Sequence, residues 1–278
     1  MKEFIVGGYF PSQFIPDFYK FNKRNDCSQQ EQMKVNVGDA RRICSYDSLY
    51  NNVSIRGFGI AKDSLTKVDE INKESSYLSA VNVILKTIPG NILLFDNIEN
   101  FTARDSRMNE TVPCIHSDYN LDVKNVWRTM ACFTNLHHAN EWLSKFQQDN
   151  VFAYSVYNVW RCPMINNSDH LPLGFIDKRS LVSADLLDGY ADHERSPDGL
   201  PISSKRLRYN KSHRWFFFPS LAVDEMIIFR TLYLRKRDYF NLSDVGTFHC
   251  ALKAEDTDNK LNYRVSYEHR IGIFHLLR

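Results

Sequence analysis

The stretch of sequence that decides the fold is YRVSYEHRIGIF, residues 263–274, close to the carboxyl end of the 278-residue chain. Apolar and polar side chains alternate along it, which predicts a β-strand because successive side chains of a strand point to opposite faces. Tyrosine, valine and isoleucine side chains share one face with His269, and the other face is polar. The polar face carries Arg264, Ser266, Glu268 and Arg270.

Two interpretations of this polar face are open. It could be the solvated face of a strand at the edge of a sheet. Alternatively, one end could hold a carboxylate, because the Arg264 guanidinium can bind a carboxylate through two hydrogen bonds and the Ser266 hydroxyl adds a donor. The same R-x-S spacing also occurs at Arg104-Asp105-Ser106, so the motif by itself is weak.

Strand-like segments dominate the second half of the chain, whereas the helical patterns fall in the first half. Helices are predicted for residues 75–87, for a segment capped by Asn120 and for a segment around residues 136–146. Early helices and late strands favour one α+β domain built on a jelly-roll-type β core. Besides 263–274, strands are predicted at 53–60, 91–95, 112–118, 151–160, 173–176, 213–218, 225–232 and 247–252, with a loop at 188–201.

The first candidate for chemistry is His116-Ser117-Asp118, within the predicted strand 112–118. Residues i and i+2 of a strand point to the same face, so His116 and Asp118 can ligate one metal ion together. An H-x-D match is weak alone, because a chain with nine histidines often contains one by chance. The alternative is a structural histidine next to a solvated aspartate.

His249 is the second candidate, far downstream in TFHCAL, residues 247–252. Taken alone it would be a core histidine. With His116 and Asp118, however, it completes the composition of the facial triad that holds non-haem Fe(II) and leaves positions open for a co-substrate and O₂. The order H-x-D, distant His, then R-x-S at Arg264 and Ser266 is what favours a metal site over the separate structural interpretations.

The composition of the chain limits which partners and which cellular compartment are expected. Lys plus Arg is 35 and Asp plus Glu is 33, a formal net charge of +2, so neither nucleic acid nor another polyanion is expected as a partner. No apolar stretch approaches the roughly 18 residues of a membrane span. The first residues lack the apolar run of a signal peptide, and the six cysteines are scattered without a C-x-x-C pair. These features predict reduced cysteines in a cytoplasmic protein without a membrane partner.

An ordered series of motifs runs from Asn52 to Phe274. It comprises GF at 57–58, VPCIHSDY at 112–119, YNVWR at 157–161, LPLGFID at 171–177, YNKSHRWFFFP at 209–219, FHCAL at 248–252 and RVSYEHR at 264–270. In this series the chain resembles the CmcJ/AsaB-like hydroxylase/desaturase family, which belongs to the non-haem Fe(II)/2-oxoglutarate-dependent oxygenases.

The resemblance implies an α+β fold with a double-stranded β-helix (jelly-roll) core and flanking helices. It implies a single oxygenase domain over residues 1–278, with a core at 51–278. Residues 1–50 are weakly patterned, have no clear counterpart in the family and would be a poorly defined N-terminal extension, with a strand-sized segment around 33–37.

The resemblance also implies roles for particular residues. The catalytic iron ligands would be His116, Asp118 and His249, and Arg264 with Ser266 would bind a carboxylate of 2-oxoglutarate. Arg161 and Trp160 are further candidates for lining the site, the alternative for them being a buried ion pair and a core aromatic residue.

The predicted activity is hydroxylation, or desaturation and cyclisation, at a C–H bond of a small molecule in secondary metabolism. Fe(II), 2-oxoglutarate and O₂ would be the cofactor and co-substrates. One alternative is a non-haem iron oxidase that does not use 2-oxoglutarate, in which Arg264 and Ser266 hold a substrate carboxylate. Others are a non-catalytic jelly-roll partner of another tailoring enzyme and a metal-free binding module. The expected partners are the small-molecule substrate and a partner enzyme or a second copy in a homodimer.

Overall fold

Two β-sheets and four α-helices make up the part of the chain that the computed structural model describes. That part comprises residues 1–10, 31–65, 67, 71–95, 101–108, 111–165, 170–191, 193–236, 241–254 and 262–277. No helix in these ranges has the length and apolar character needed to cross a membrane. The helices are α1 (Leu49–Ile55), α2 (Lys73–Thr87), α3 (Val123–Phe133) and α4 (Leu136–Gln147).

The first sheet has seven strands. In chain order they are β1 (Lys2–Phe10), β2 (Glu31–Asp39), β7 (Leu173–Ile176), β8 (Leu186–Ala191), β9 (Ile202–Arg208), β10 (Trp215–Phe217) and β12 (His249–Ala251). Their order across the sheet is β12-β7-β10-β2-β1-β9-β8. Most pairs are antiparallel, but β10 runs parallel to β2 and β1 parallel to β9.

The second sheet contains the remaining strands. They are β3 (Phe58–Lys62), β4 (Asn91–Leu94), β5 (Thr102–Asp105), β6 (Val151–Ile165), β11 (Glu225–Arg235) and β13 (Arg264–Leu276). The order is β3-β11-β6-β13-β4, and β5 also pairs with β13. Strand β13 therefore has β6 along one side and β4 and β5 along the other, so it is not an edge strand.

Aromatic side chains join the two sheets face to face. Phe175 on β7 stacks against Phe58 on β3, with ring centroids 5.1 Å apart, and lies 5.1 Å from Phe229 on β11. All three are fully buried, and burying one such side chain contributes on the order of 2 kcal/mol. The packed sheets form the jelly-roll core of an α+β fold, as the sequence predicted.

The helices cover the outside of the second sheet and one end of the core. Helix α2 buries Ala80 and Ile84 against Val159 and Ile271 of the sheet. Its N-cap Asn72 accepts hydrogen bonds from the main chain of the first turn, which satisfies donors that have no partner within the helix. Helices α3 and α4 pack through an apolar cluster on the ends of β6 and β13.

The described parts of residues 1–50, which are 1–10 and 31–50, contribute more to the fold than their pattern indicated. Strands β1 and β2 lie in the middle of the seven-stranded sheet, and Val6 and Val37 are fully buried. The strand predicted around 33–37 is present within β2. Two glycines in β1, at positions 7 and 8, interrupt the alternation by which a strand is recognised in a sequence.

Several predicted boundaries were wrong. Residues 53–55, predicted as the start of a strand, are the end of helix α1, and Gly57, with φ +101°, separates this helix from β3. The N-cap of α3 is Asp122, which accepts from the main-chain N–H of Asn125 at 2.7 Å. Residues 188–191 belong to β8 where a loop was expected, and β9 was not anticipated. Pairing with β9 stabilises β8, and the capping bond to Asp122 sets the start of α3.

Cysteine chemistry also differs from the prediction of six reduced thiols. Cys114 is disulfide-bonded. Cys44, Cys132, Cys162 and Cys250 are free and buried. The cytoplasmic location stays a prediction.

Candidate metal and carboxylate site

His116, Asp118 and His249 come together in the interior between the sheets. Their candidate ligand atoms all lie within 4.8 Å of one another. The Asp118 Oδ1 atom is 3.5 Å from His116 Nε2 and 4.0 Å from His249 Nε2. Two imidazole nitrogens and one carboxylate oxygen at this spacing match the donor set that a divalent transition metal such as Fe(II) takes.

Main-chain pairing holds the two histidines next to each other. Residues 112–118 form no continuous strand, contrary to the prediction; His116 makes an isolated antiparallel bridge with His249 at the start of β12. The His116 and His249 rings are 4.5 Å apart between centroids. The interval of two residues between His116 and Asp118 then brings the carboxylate to the same side.

Hydrogen bonds fix the orientation of both imidazoles. The Nδ1 atom of His116 lies 2.8 Å from the carbonyl oxygen of Cys114, and the Nδ1 atom of His249 lies 3.0 Å from that of Thr247. A carbonyl oxygen can only accept, so Nδ1 carries the proton in each ring and Nε2 keeps its lone pair. Both lone pairs therefore face Asp118, which is the arrangement that metal ligation requires.

The carboxylate has its own support from β6. The Asn158 side-chain amide donates to Asp118 Oδ2 at 3.0 Å, and Asn158 in turn accepts from the Thr231 hydroxyl at 3.2 Å. This leaves Oδ1 directed towards the histidines. Asn158 was not identified from the sequence, because its only signal is that it shares a strand face with Trp160.

Burial and neighbouring charges set the protonation states. Burial lowers the pKa of His116 to about 4, and His249 acts in the same direction. Burial by itself would raise the pKa of Asp118, but His116, His249 and Arg270 together outweigh it and hold that pKa well below its usual value. A neutral His116 imidazole next to an ionised Asp118 carboxylate is the combination that binds a metal ion.

The three side chains line a cavity of about 40 Å³. Apolar side chains form part of its wall, including Trp160 and Leu173. The other charged residues of the wall are Arg104, Arg264, Glu268 and Arg270. Three of these come from the polar face of β13, so this face is directed into the core and is not solvated.

Arg264 is a buried cation without an anionic partner among the described residues. Arg264 is 2% exposed, and no carboxylate of the described residues lies within ion-pair distance of its guanidinium. The guanidinium donates to the carbonyl oxygen of Leu171 and packs 5.2 Å from the Trp160 ring, while its Nε atom has no hydrogen-bond partner in the part of the chain that the structure describes. Burial lowers the pKa of Arg264 to about 10. Because an uncompensated buried charge is costly, this arrangement favours binding of an anion.

Leu171 adopts a left-handed backbone conformation, with φ +45°. Such a conformation is unfavourable for a leucine and persists only where its surroundings impose it. It directs the Leu171 carbonyl oxygen at the Arg264 guanidinium. Ser266 is 1% exposed, and no described residue hydrogen-bonds to its hydroxyl. Ser266 thus keeps an unused donor on the same strand face.

Glu268 and Arg270 form a buried ion pair inside the cavity. The Arg270 Nη2 atom is 2.5 Å from Glu268 Oε1. The Arg270 side chain is 8% exposed and the Glu268 side chain is 11% exposed. Arg270 also donates to the Thr102 hydroxyl at 3.1 Å. The alternation of residues 263–274 placed both on the polar face, but only the sheet shows that this face surrounds the candidate metal site.

Arg161 is not among the residues that line the cavity, which argues against the cofactor-binding role expected for it. It pairs with Asp63 at 2.8 Å, the two side chains being 2% and 3% exposed. It also donates to the carbonyl oxygen of Val223. Trp160 faces the cavity, and its neighbour in the strand must therefore face the other way. The buried ion pair considered from the sequence is what the structure contains.

Comparison of the sequence with protein-family models gives one assignment. The model described as "Oxidoreductase/YMDC permease-like domain" matches residues 11–274, and the chain belongs to this family. The resemblance to the CmcJ/AsaB-like hydroxylase/desaturase family is not confirmed and stays a prediction. No curated protein matches the sequence significantly.

Comparison with solved structures supports the fold. A variant of the iron and alpha-ketoglutarate-dependent endoperoxidase NvfI is 16% identical, with 99% of each chain covered and a TM-score of 0.67. A second structure of NvfI, in a different conformation, is also 16% identical, covers 99% of this chain and 98% of its own, and has a TM-score of 0.68. At this level of identity the likeness shows a common fold.

Proposed function

We propose that the protein is a non-haem Fe(II)/2-oxoglutarate-dependent oxygenase. The observation that carries the proposal is the presence of Arg264, a buried guanidinium with no carboxylate partner among the described residues, in the same cavity as the His116, Asp118 and His249 donors. A metal site alone would suit many enzymes. A metal site next to a buried cation suits a co-substrate that chelates the metal at one end and carries a carboxylate at the other.

The donor set fits Fe(II). His116, Asp118 and His249 would supply three protein ligands, and an ion held by three protein ligands would keep positions open for other ligands. When bound, Fe(II) with 2-oxoglutarate and O₂ would supply the oxidising chemistry, with succinate and CO₂ formed from the co-substrate. The chain holds the ligand atoms in position, keeps the His116 imidazole neutral and keeps bulk water away from the site.

The polar residues of β13 would orient the co-substrate. Arg264 would bind its far carboxylate through two hydrogen bonds, with the Ser266 hydroxyl as a further donor. Trp160 packs on the Arg264 guanidinium and limits its movement. The likeness to NvfI, an iron and alpha-ketoglutarate-dependent enzyme, supports this pair of cofactors.

The finer parts of the proposal concern the reaction and its setting. The substrate would be a small molecule that is hydroxylated, or desaturated and cyclised, at a C–H bond in secondary metabolism in the cytoplasm. The motifs that resemble the CmcJ/AsaB-like family support this reaction class. Function as a homodimer or with a partner enzyme is part of the same proposal.

Anaerobic binding and turnover test the proposal. The full chain is loaded with Fe(II), 2-oxoglutarate is added, and the charge-transfer absorption of the chelate is recorded before O₂ is admitted and succinate is measured. We expect absorption and succinate with the natural sequence and neither with Asp118→Ala. His137→Ala is the control, because His137 is an exposed helical residue with a side chain that is 84% exposed.

Other outcomes identify the alternatives. Fe(II) binding without any effect of 2-oxoglutarate would favour an iron oxidase that does not use this co-substrate. Equal Fe(II) binding by the natural sequence and by Asp118→Ala would contradict the metal site. It would favour a non-catalytic jelly-roll partner or a metal-free binding module.

A further inference from the structure

Arg104 on β5 is directly opposite Ser266 on β13 in the register of the sheet. Side chains of directly opposed residues in an antiparallel pair lie on the same face, with Cβ atoms roughly 5 Å apart. Arg104 therefore projects from the face that carries Arg264 and Ser266. It also lines the cavity of the candidate metal site, although it lies in a different strand and far from β13 in sequence.

Arg104 and Arg264 are diagonal neighbours in this pairing. Diagonal positions of an antiparallel pair are roughly 7–8 Å apart, which long side chains readily span. The charge of Arg104 contributes to lowering the pKa of Arg264, after the larger effect of burial. The two guanidiniums are thus close enough to act on the same ligand.

The segment that carries Arg104 is fixed to β13. The main-chain N–H of Arg264 donates to the Ser106 hydroxyl at 2.9 Å. The two R-x-S segments of the chain, 104–106 and 264–266, therefore pack against each other. The sequence pattern did not place segment 104–106 at the site, but this hydrogen bond holds it beside segment 264–266.

We propose that Arg104 is a second carboxylate-binding residue, which together with Arg264 and Ser266 forms a clamp for the far carboxylate of 2-oxoglutarate. Arg264 is buried at the inner side of the clamp and Arg104 is half-buried at the outer side. An anion between the two cations offsets the repulsion that they exert on each other. This inference rests on the proposed function.

Binding of two 2-oxo acids to the Mn(II)-loaded full chain tests the clamp. 2-Oxoglutarate carries the far carboxylate, whereas 2-oxobutyrate has the same chelating end without it. Calorimetry gives the affinity of each ligand for the natural sequence and for Arg104→Gln, Arg264→Gln and Arg107→Gln. Arg107 is the matched control, because it lies two residues after the end of β5 but has a side chain that is 52% exposed and pairs with Asp105.

We expect Arg104→Gln to bind 2-oxoglutarate about 10-fold or more weakly, which is the typical effect of losing one charge-assisted contact, and to bind 2-oxobutyrate unchanged. Arg264→Gln should show a larger loss with the same selectivity, and Arg107→Gln should behave as the natural sequence does. Arg104→Lys should recover part of the affinity, since it keeps the charge but loses the paired donors.

Two results would overturn the inference. One is an unchanged affinity of Arg104→Gln for 2-oxoglutarate while Arg264→Gln loses it. The other is an equal loss of both ligands in Arg104→Gln, which would indicate a damaged metal site. Failure of the proposed function is different, because then the natural sequence itself would not prefer 2-oxoglutarate to 2-oxobutyrate.

Discussion

His116 and His249 are joined by two reciprocal main-chain hydrogen bonds, in which each amide donates to the carbonyl oxygen of the other. The N···O distances are 3.3 Å from His116 N and 3.1 Å from His249 N. The two segments thus meet through their backbones, independently of the imidazoles. Substitution of either side chain should therefore remove a metal donor without separating the segments.

The first prediction follows for His116→Ala and His249→Ala. Each variant should lose at least 100-fold in Fe(II) affinity, because two donors hold a metal ion much less tightly than three. Metal titration under anaerobic conditions measures the loss. The melting temperature of the metal-free protein should stay within a few degrees of that of the natural sequence. A variant that unfolds would show that the imidazoles, and not the backbone bridge, hold these segments together.

The second prediction concerns Asn158, whose amide donates to Asp118. Asn158→Leu removes this donor while keeping a similar volume, so Asp118 loses its orientation. We expect metal affinity to fall by roughly 10- to 100-fold, the usual range for residues that support a metal ligand. Mn(II) titration provides the measurement. Thr231→Val, which removes the hydroxyl that donates to Asn158, should have a smaller effect, and a larger one would mean that this hydroxyl matters more than the Asn158 amide.

The third prediction separates Arg161 from co-substrate binding. Arg161→Met leaves Asp63 as a buried carboxylate without its partner, which should lower the free energy of unfolding by roughly 3 kcal/mol. Urea denaturation measures this loss. Affinity of the folded variant for 2-oxoglutarate should be unchanged, since Arg161 faces away from the cavity. A variant of normal stability with weakened 2-oxoglutarate binding would restore Arg161 as a cofactor-binding residue.

The fourth prediction is a dependence of stability on pH that Glu225 causes. Glu225 accepts from both ends of the Arg41 guanidinium at 2.7 Å and from the Ala222 amide. Burial raises its pKa, but the hydrogen bonds from Arg41 and Ala222 outweigh that effect and lower the pKa to about 2. Since the folded-state pKa lies below the unfolded value, the ionised carboxylate stabilises the fold above about pH 4.5 and ceases to do so as the pH falls towards 2.

Glu225→Gln should therefore be less stable than the natural sequence by roughly 2 kcal/mol at pH 7. This is below the full equivalent of the pKa shift, because the Arg41 side chain is 30% exposed to solvent. Urea denaturation at several pH values should show the difference shrinking below about pH 4.5. A difference that stays constant down to pH 3 would mean that Glu225 acts through packing and not through its charge.

The fifth prediction concerns Gly246, three residues before His249. A Cβ atom there would lie 2.1 Å from the Thr231 carbonyl oxygen and 2.5 Å from the Ser117 hydroxyl, so backbone would have to move. Gly246→Ala should lower the free energy of unfolding by roughly 3 kcal/mol and weaken metal binding. Gly7→Ala is the control, because its nearest contact would be 3.4 Å and it should be close to neutral. Equal stability of the two variants, measured by thermal unfolding, would contradict the steric account.

The fold class could be predicted from the sequence because its signals are local. Alternation along residues 263–274, the β-formers of 151–160 and the helical spacing of 75–87 each identify an element from its own residues. The H-x-D spacing likewise identifies two side chains that share a direction. These patterns do not decide which face of an element is buried. A period of two assigns side chains to two faces of a strand, but it does not show which face points into the core.

The tertiary structure decided the rest through contacts between distant residues. It inserted β13 between β6 and strands β4 and β5, which turned a face that could have been solvated into the wall of a cavity. It placed Trp160 inside and Arg161 outside, and it brought Arg104 opposite Ser266. The sequence by itself determined the elements and the candidate donors, because local periodicity specifies both. The convergence of those donors, and the burial of Arg264 without an acidic neighbour among the described residues, depend on strand pairings that no local pattern contains.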